Sequence, residues 1–235
     1  MLRIACIDSE ALPLFDLKDS QGNRIGYEPE AAGIVFDLIG QEFQWVYLNW
    51  EDMLPAVASG EVDAVWCGQA ITDERKKFVD FTDPYAVFDE TIIVKAGRGI
   101  TDASQLQGLK VGAIANSANM ALAETFDGAI LVPFEGEDVF GAMIEATRSG
   151  EIDAFVDDDV VMLPLAEQDP DFEVAFTVRT QNRWAIGVAH GNDELREAIN
   201  RGLSEAIANG SLENAWTTWM PSLVFPLHQA EVGAK

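Results

Sequence analysis

A seven-residue segment occurs twice in almost the same form: SGEVDAV at Ser59–Val65 and SGEIDAF at Ser149–Phe155. Each copy follows an amphipathic stretch, WEDMLPAVA in one case and GEDVFGAMIEATR in the other, and each leads into a short run of buried type. Gly supplies the left-handed residue that stops a helix, and Asp opens the strand that follows. The same helix-to-strand corner is therefore built twice, which predicts two similar α/β lobes in one chain.

The stretches around the copies fit that frame. LRIACI, FQWVYLNW and VDAVWCG read as strands, and PEAAGIVFDLIGQEF and WEDMLPAVASG as helices, so the first copy closes a β-α-β-α-β series. KDSQGNRIG carries the residues of a hairpin turn. The pattern restarts with ETIIVKAG and LKVGAIA as strands, NSANMALAETF as a helix capped at Asn116 or Ser117, AILVPF as a strand, then the second copy with its strand EIDAFVD. FEVAFT and RWAIGVA read as two further strands, and NDELREAINRGLSEAIANGSLENAWTTWM as helix broken at Asn209-Gly210. The expected fold class is α/β, with two Rossmann-like lobes joined by two hinge strands. Lobe 1 is expected over 1–93 plus 189–228, lobe 2 over 94–188, and a frayed tail over 229–235.

Net charge is −25, from 15 basic and 40 acidic residues. Such a surface repels phosphate backbones and offers no basic stripe, which argues against nucleic acid and against peripheral membrane binding. Its plainest role is solubility. No apolar run approaches the roughly 20 residues of a membrane helix, and we read no signal sequence at MLRIACID. Cys6 and Cys67 lie outside any CxxC pattern, and His190 and His228 have no ligand-spaced neighbours, so neither a structural zinc nor any other cofactor is expected. The two cysteines read as small core residues, with a disulfide between them as the alternative.

In open α/β sheets ligands gather beyond the carboxyl ends of the strands. Gly68, Ala70, Thr72 and Arg75 follow the first repeated strand, and Asp157, Asp158 and Asp159 the second. An Arg on one side and a carboxylate on the other suit a small molecule carrying both signs. Asp8 and Glu10 follow the first strand, where they would meet a cationic side chain or add to surface charge. Arg183 is read either as a second cation or as surface, and Trp66 as core.

CGQAITDERKKFVDFTDPY resembles the hallmark of type II periplasmic solute-binding proteins of the polar amino-acid ABC importer class. LRIACID with PLF, RIGYEPE, WEDMLPAVASGEVDA, LKVGAIANS, SGEIDAFVDD, WAIGVAHGNDELREAIN and SLENAW support the resemblance by order and spacing. It implies a monomeric two-lobe clamp without catalysis, resident in the periplasm or outside the cell, with membrane anchoring as a variant. The clamp would deliver an amino acid or similar zwitterion to an ABC permease. By the same resemblance Arg75 grips the α-carboxylate, Asp158 partners the ammonium, backbone groups of Gly68 and Ala70 help hold that ammonium, and Ser117 offers a backbone N–H at a helix start. Trp50 and Phe15 match aromatic positions that pack on the ligand. Ala70 stands where these proteins usually carry Ser or Thr, and NSAN replaces a Ser-Gly-Thr-like turn. An enzyme on the same scaffold, similar to cyclohexadienyl dehydratases, and the sensing domain of a larger receptor are the alternatives.

Overall fold

The computed structural model describes residues 1–136 and 138–227; the expected tail, 229–235, and His228 lie outside the described residues. The chain divides into two compact units. The first comprises 1–8, 12–87 and the chain from Asn182 onward, and the second 9–11 and 88–181. Two of the divisions, at 87/88 and 181/182, fall on the long strands β4 (Val79–Lys95) and β8 (Phe172–Ala189), and the others set off 9–11.

In the first unit, β1 (Leu2–Cys6) lies parallel between β2 (Phe43–Tyr47) and β3 (Ala64–Val65), and the order is β2-β1-β3-β8-β4. β3 meets β8 antiparallel, Ala64 opposite Val188. Helices α1 (Tyr27–Leu38), α2 (Trp50–Ser59), α6 (Asp193–Ala208) and α7 (Ser211–Trp219) accompany these strands. α1 buries Tyr27, Glu28, Ala31, Ala32, Val35 and Phe36, a stripe at helical spacing. Gly202 of α6 lets that helix approach closely, since a Cβ there would lie 2.9 Å from Val35.

In the second unit the order is β4-β7-β5-β6, with β5 (Lys110–Ile114), β6 (Ile130–Phe134) and β7 (Ala154–Asp158). β5 runs parallel to β6 and β7, while β4 runs antiparallel to β7. Helices α3 (Ala118–Ala123), α4 (Val139–Ser149) and α5 (Asp159–Gln168) complete it. Ile92, Val94, Leu106, Val111, Met120, Phe126 and Val156 share its buried core.

The repeated corner is the same at atomic level. Gly60 (φ 77°) and Gly150 (φ 81°) are both left-handed helix caps. Asp63 accepts the amide of Arg3 at 2.7 Å, and Asp153 accepts that of Lys110 at 2.9 Å. Each Asp thus fixes the start of the parallel strand beside it, at the second residue of β1 and the first of β5.

Three sequence expectations change. FEVAFT and RWAIGVA are one strand, β8, which continues through the intervening VRTQN even though Gln181 takes a left-handed φ of 52°. The strand expected from Glu90 starts at Val79 and runs through Pro84, outside the stretch Glu90–Val94 that pairs with β7. DVVMLPLAEQ, for which no helix was expected, forms α5; its interior Pro164 breaks the usual pattern. KDSQGNRIG does turn, with Asp19 accepting the amides of Gln21 and Asn23, but no strand flanks it.

Candidate functional site

In the first unit the hallmark segment leaves β3 and turns back at Arg75. That residue is 6% exposed although its neighbours Lys76 and Lys77 are exposed. Its guanidinium donates to Ala70 O at 3.0 Å and lies 5.2 Å from the centre of the Trp50 ring. Trp50 opens α2, whose first turn also carries Glu51 and Asp52. Arg75, Ala70 and Trp50 are therefore brought together, with the cation over an aromatic face.

Gly68 adopts φ 54°, and its N–H points inward, donating to Glu28 Oε1 at 2.7 Å and to the Tyr85 hydroxyl oxygen at 3.1 Å. Ala70 is buried and bridges to Trp184 of β8. Glu28 is 2% exposed. Burial pushes its carboxyl up to about 7, against the hydrogen bonds from Tyr85 and Gly68 and the charge of Arg24.

Asp8 pairs with Lys18 at 2.5 Å, and the Lys18 ammonium lies over the Tyr47 ring. Burial raises the Asp8 carboxyl, but the Lys18 ammonium and amide outweigh it and leave the group below its ordinary value. Phe15 is buried with the Arg24 guanidinium 4.4 Å from its ring centre. Arg24 also donates to Ile7 O at 2.6 Å and to Asp16 O at 3.1 Å, tying down both ends of the loop between them. Glu10 and Arg183 are exposed, and Trp66 is core, as read from the sequence.

In the second unit Asp157 and Asp158 end β7, and Asp159 begins α5. Glu90 faces Asp158 across the β4–β7 pair, and Thr91 faces Asp157. Asp158 accepts from the Asn119 amide at 2.8 Å, and its own N–H donates to Asp157 Oδ1 at 2.7 Å. Burial pushes Asp157 up to about 7 and Asp159 to about 6. Asp158 is raised well above the carboxylate range by burial and then by the charges of Asp157, Glu90 and Asp159. Ser117 caps α3: its hydroxyl accepts from Met120 N at 3.0 Å and donates to Ile114 O at 2.6 Å, and its N–H also donates to Ile114 O.

Sequence reasoning missed Glu28, Tyr85, Asn119 and Arg24. For Glu28 a signal existed, because it stands on the apolar stripe of α1 with Ala31, Ala32 and Val35. Asn119 has no such mark, since an Asn in a helix reads equally as surface. Cys6 and Cys67 are buried free thiols; burial pushes Cys6 up to about 12. Among the described residues, no group of His, Cys, Asp and Glu is arranged to hold a metal, and no helix is long and apolar enough to cross a membrane.

The model of one protein family, the bacterial extracellular solute-binding proteins, family 3, matches residues 4–222. The ABC transporter glutamine-binding protein GlnH of Bacillus subtilis is 28% identical over 213 residues, 88% of this chain and 77% of that protein. The L-cystine-binding protein TcyJ of Escherichia coli K12 is 30% identical over 216 residues, 88% of this chain and 78% of that protein. Among solved structures, an ancestral arginine-binding protein bound to arginine matches with a TM-score of 0.84 and 30% identity, over 93% of this chain and 97% of the other. These relatives bear the names of amino-acid-binding proteins, and the fold is the α/β architecture of the type II periplasmic binding proteins. The chain belongs to the bacterial extracellular solute-binding proteins of family 3.

Proposed function

We propose that the protein captures an amino acid or a closely related zwitterion outside the cytoplasm and hands it to an ABC permease, as a monomer and without catalysis. The observation that carries this reading is Arg75. A guanidinium held 6% exposed on the face of Trp50, in the segment after β3, is prepared for a bidentate carboxylate contact. Asp158 takes the ammonium, which relieves the repulsion among the buried acids around it. Gly68 and Ala70 shape the wall beside Arg75, Trp50 and Phe15 supply aromatic packing, and Ser117 fixes the first turn of α3. Asp8 lies near the ligand's side chain as a carboxylate already paired with Lys18. The names of the relatives, which mention glutamine, cystine and arginine, support the ligand class.

The test is a thermal-shift panel of the twenty common amino acids, cystine and ornithine, followed by calorimetry on Arg75→Ala. A saturable shift with one member, lost in the variant, is expected. Losing this contact should cost about 2–5 kcal/mol of affinity. A variant that binds within a few-fold of wild type removes Arg75 from this role.

A further inference from the structure

We infer that Glu28 is a positioning residue of the binding site, whose buried carboxylate holds the Gly68 amide and the Tyr85 hydroxyl and so sets the conformation of the turn that leads to Ala70 and Arg75. The inference rests on the binding role just proposed for that turn.

Its geometry is local to the first unit. Glu28 stands in the first turn of α1, on the buried face of that helix. One oxygen, Oε1, accepts from both Gly68 N, at 2.7 Å, and the Tyr85 hydroxyl. Gly68 sits at φ 54°, so the peptide that presents its N–H inward is in the region that glycine tolerates. Two residues on, Ala70 gives its carbonyl to Arg75. A hydrogen bond that fixes Gly68 therefore acts on the same short segment that carries the Arg75 contact. Tyr85 is itself held, because its carbonyl accepts from the Tyr27 hydroxyl at 2.9 Å. Tyr27 in turn packs edge-on against Trp216 of α7, 5.2 Å between ring centres. The anchor thus runs from α7 through α1 and β4 to the turn, where Glu28 makes the shorter contact with Gly68 N, at 2.7 Å, and the Tyr85 hydroxyl the longer, at 3.1 Å.

A carboxylate at this place needs a reason, because a neutral acceptor could cap the same N–H without the cost of burying charge. Charge makes the bond stronger and shorter. It also makes it respond to protonation. Around Glu28 stand Arg24 from the loop before α1, Cys6 at the end of β1, Cys67 after β3, Tyr85 on β4 and Tyr27 on its own helix. The thiols and phenols are raised by burial and stay neutral, so Glu28 is the member of this cluster that changes state near neutral pH. Once protonated, it accepts more weakly from Gly68 and Tyr85.

The experiment compares wild type, Glu28→Gln, Glu28→Ala and Arg75→Ala, with L-arginine and L-glutamine as calorimetric probes between about pH 5.5 and pH 8. Nitrogen-15 NMR of the Gly68 amide is followed over the same range. Asp157 and Asp159 titrate in this window too, so the difference between the wild-type and Glu28→Gln profiles is the quantity read. In wild type the Gly68 amide should shift with the Glu28 carboxyl, and in Glu28→Gln it should not. Glu28→Gln should bind within about three-fold of wild type at the acid end and about ten-fold more weakly at the alkaline end. Glu28→Ala, if it folds, should be weaker throughout. Parallel binding profiles, or a Gly68 amide that ignores pH, overturn the inference while Arg75→Ala still loses binding. If Arg75→Ala binds like wild type, or wild type binds neither probe, the binding role proposed for this turn falls and the inference with it.

Discussion

Asn119 donates its side-chain amide to Asp158 at 2.8 Å, so the acid proposed to meet the ligand's ammonium is oriented by a neutral group. A neutral amide orients the carboxyl without supplying a counter-charge, so ionisation of Asp158 is left to the incoming ammonium. Replacing Asp158 by Asn should therefore leave the fold intact and weaken amino-acid binding by about 2–5 kcal/mol, since the ammonium would lose its charged partner. Asn119→Ala should act differently. It strips a buried carboxyl of its donor, which costs about 1–3 kcal/mol of stability and disorders the carboxyl's orientation. Calorimetry and thermal melts on the two variants separate these effects. Equal affinities in Asp158→Asn and wild type would dismiss the ammonium role.

Stability without ligand should fall as pH rises from about 4 toward 7–8. Asp157, Asp159 and Glu28 have folded values near 7, 6 and 7, all above their ordinary carboxylate values, because burial favours the neutral form. Between the unfolded and folded values the native state binds more protons than the unfolded state, so unfolding free energy decreases with pH. The stabilisation is fully present below the unfolded values and is lost by the time pH passes the folded ones. Thermal melts at intervals across this range should show it, and Asp157→Asn should flatten the slope. A melting temperature that climbs steadily from pH 5 to pH 8 would contradict the assignment.

Gly60→Ala and Gly150→Ala should destabilise by similar amounts, about 1 kcal/mol each, because each forces a Cβ into a left-handed conformation. Nothing lies within 4 Å of a Cβ built at either position, so the cost is conformational and not steric. Denaturant melts of the two single variants provide the comparison. A several-fold difference between them would mean that the two corners, alike in sequence and hydrogen bonding, carry unequal load.

The duplicated corner was legible because its helix stop, at Gly60 or Gly150, is local chemistry; that the Asp which follows takes an amide of an earlier strand, Arg3 or Lys110, emerges only in the fold. Arg75 and Asp158 were legible for a similar reason, standing just after or at the end of strands whose order the sequence reveals. What stayed hidden depends on long-range partners. Glu28 and Tyr85 meet Gly68 only because α1, β4 and the turn after β3 fold onto one place. The pairing of Asp8 with Lys18 is of the same kind: by charge alone Asp8 counts as a free acid, and only the loop's path brings the ammonium to it. α5 was hidden by its interior Pro164 and by a triplet of acids that reads as a loop.

The pairing of Asp8 also sharpens the expected ligand. By charge count, Asp8, Glu10, Asp157, Asp158 and Asp159 stand together against an acidic side chain. Asp8 now leaves that group, since Lys18 neutralises it, and Glu10 is exposed and screened. In the first unit Arg24 adds a cation beside Phe15 that the count did not include. In the second unit Asp157, Asp158, Asp159 and Glu90 crowd the end of β7, where burial already favours the protonated form of the three aspartates. A ligand carboxylate there would disfavour their ionisation further and find no counter-charge among them, whereas a ligand cation would favour their ionised form and pair with it. We therefore expect neutral or basic amino acids to bind more tightly than glutamate or aspartate, by about ten-fold or more, the effect of one unfavourable charge contact of roughly 1.4 kcal/mol. Calorimetry with arginine, ornithine, glutamine, glutamate and aspartate in the same buffer is the measurement. Tighter binding of either dicarboxylate would show that Arg24, and not the acids at the end of β7, faces the ligand's side chain.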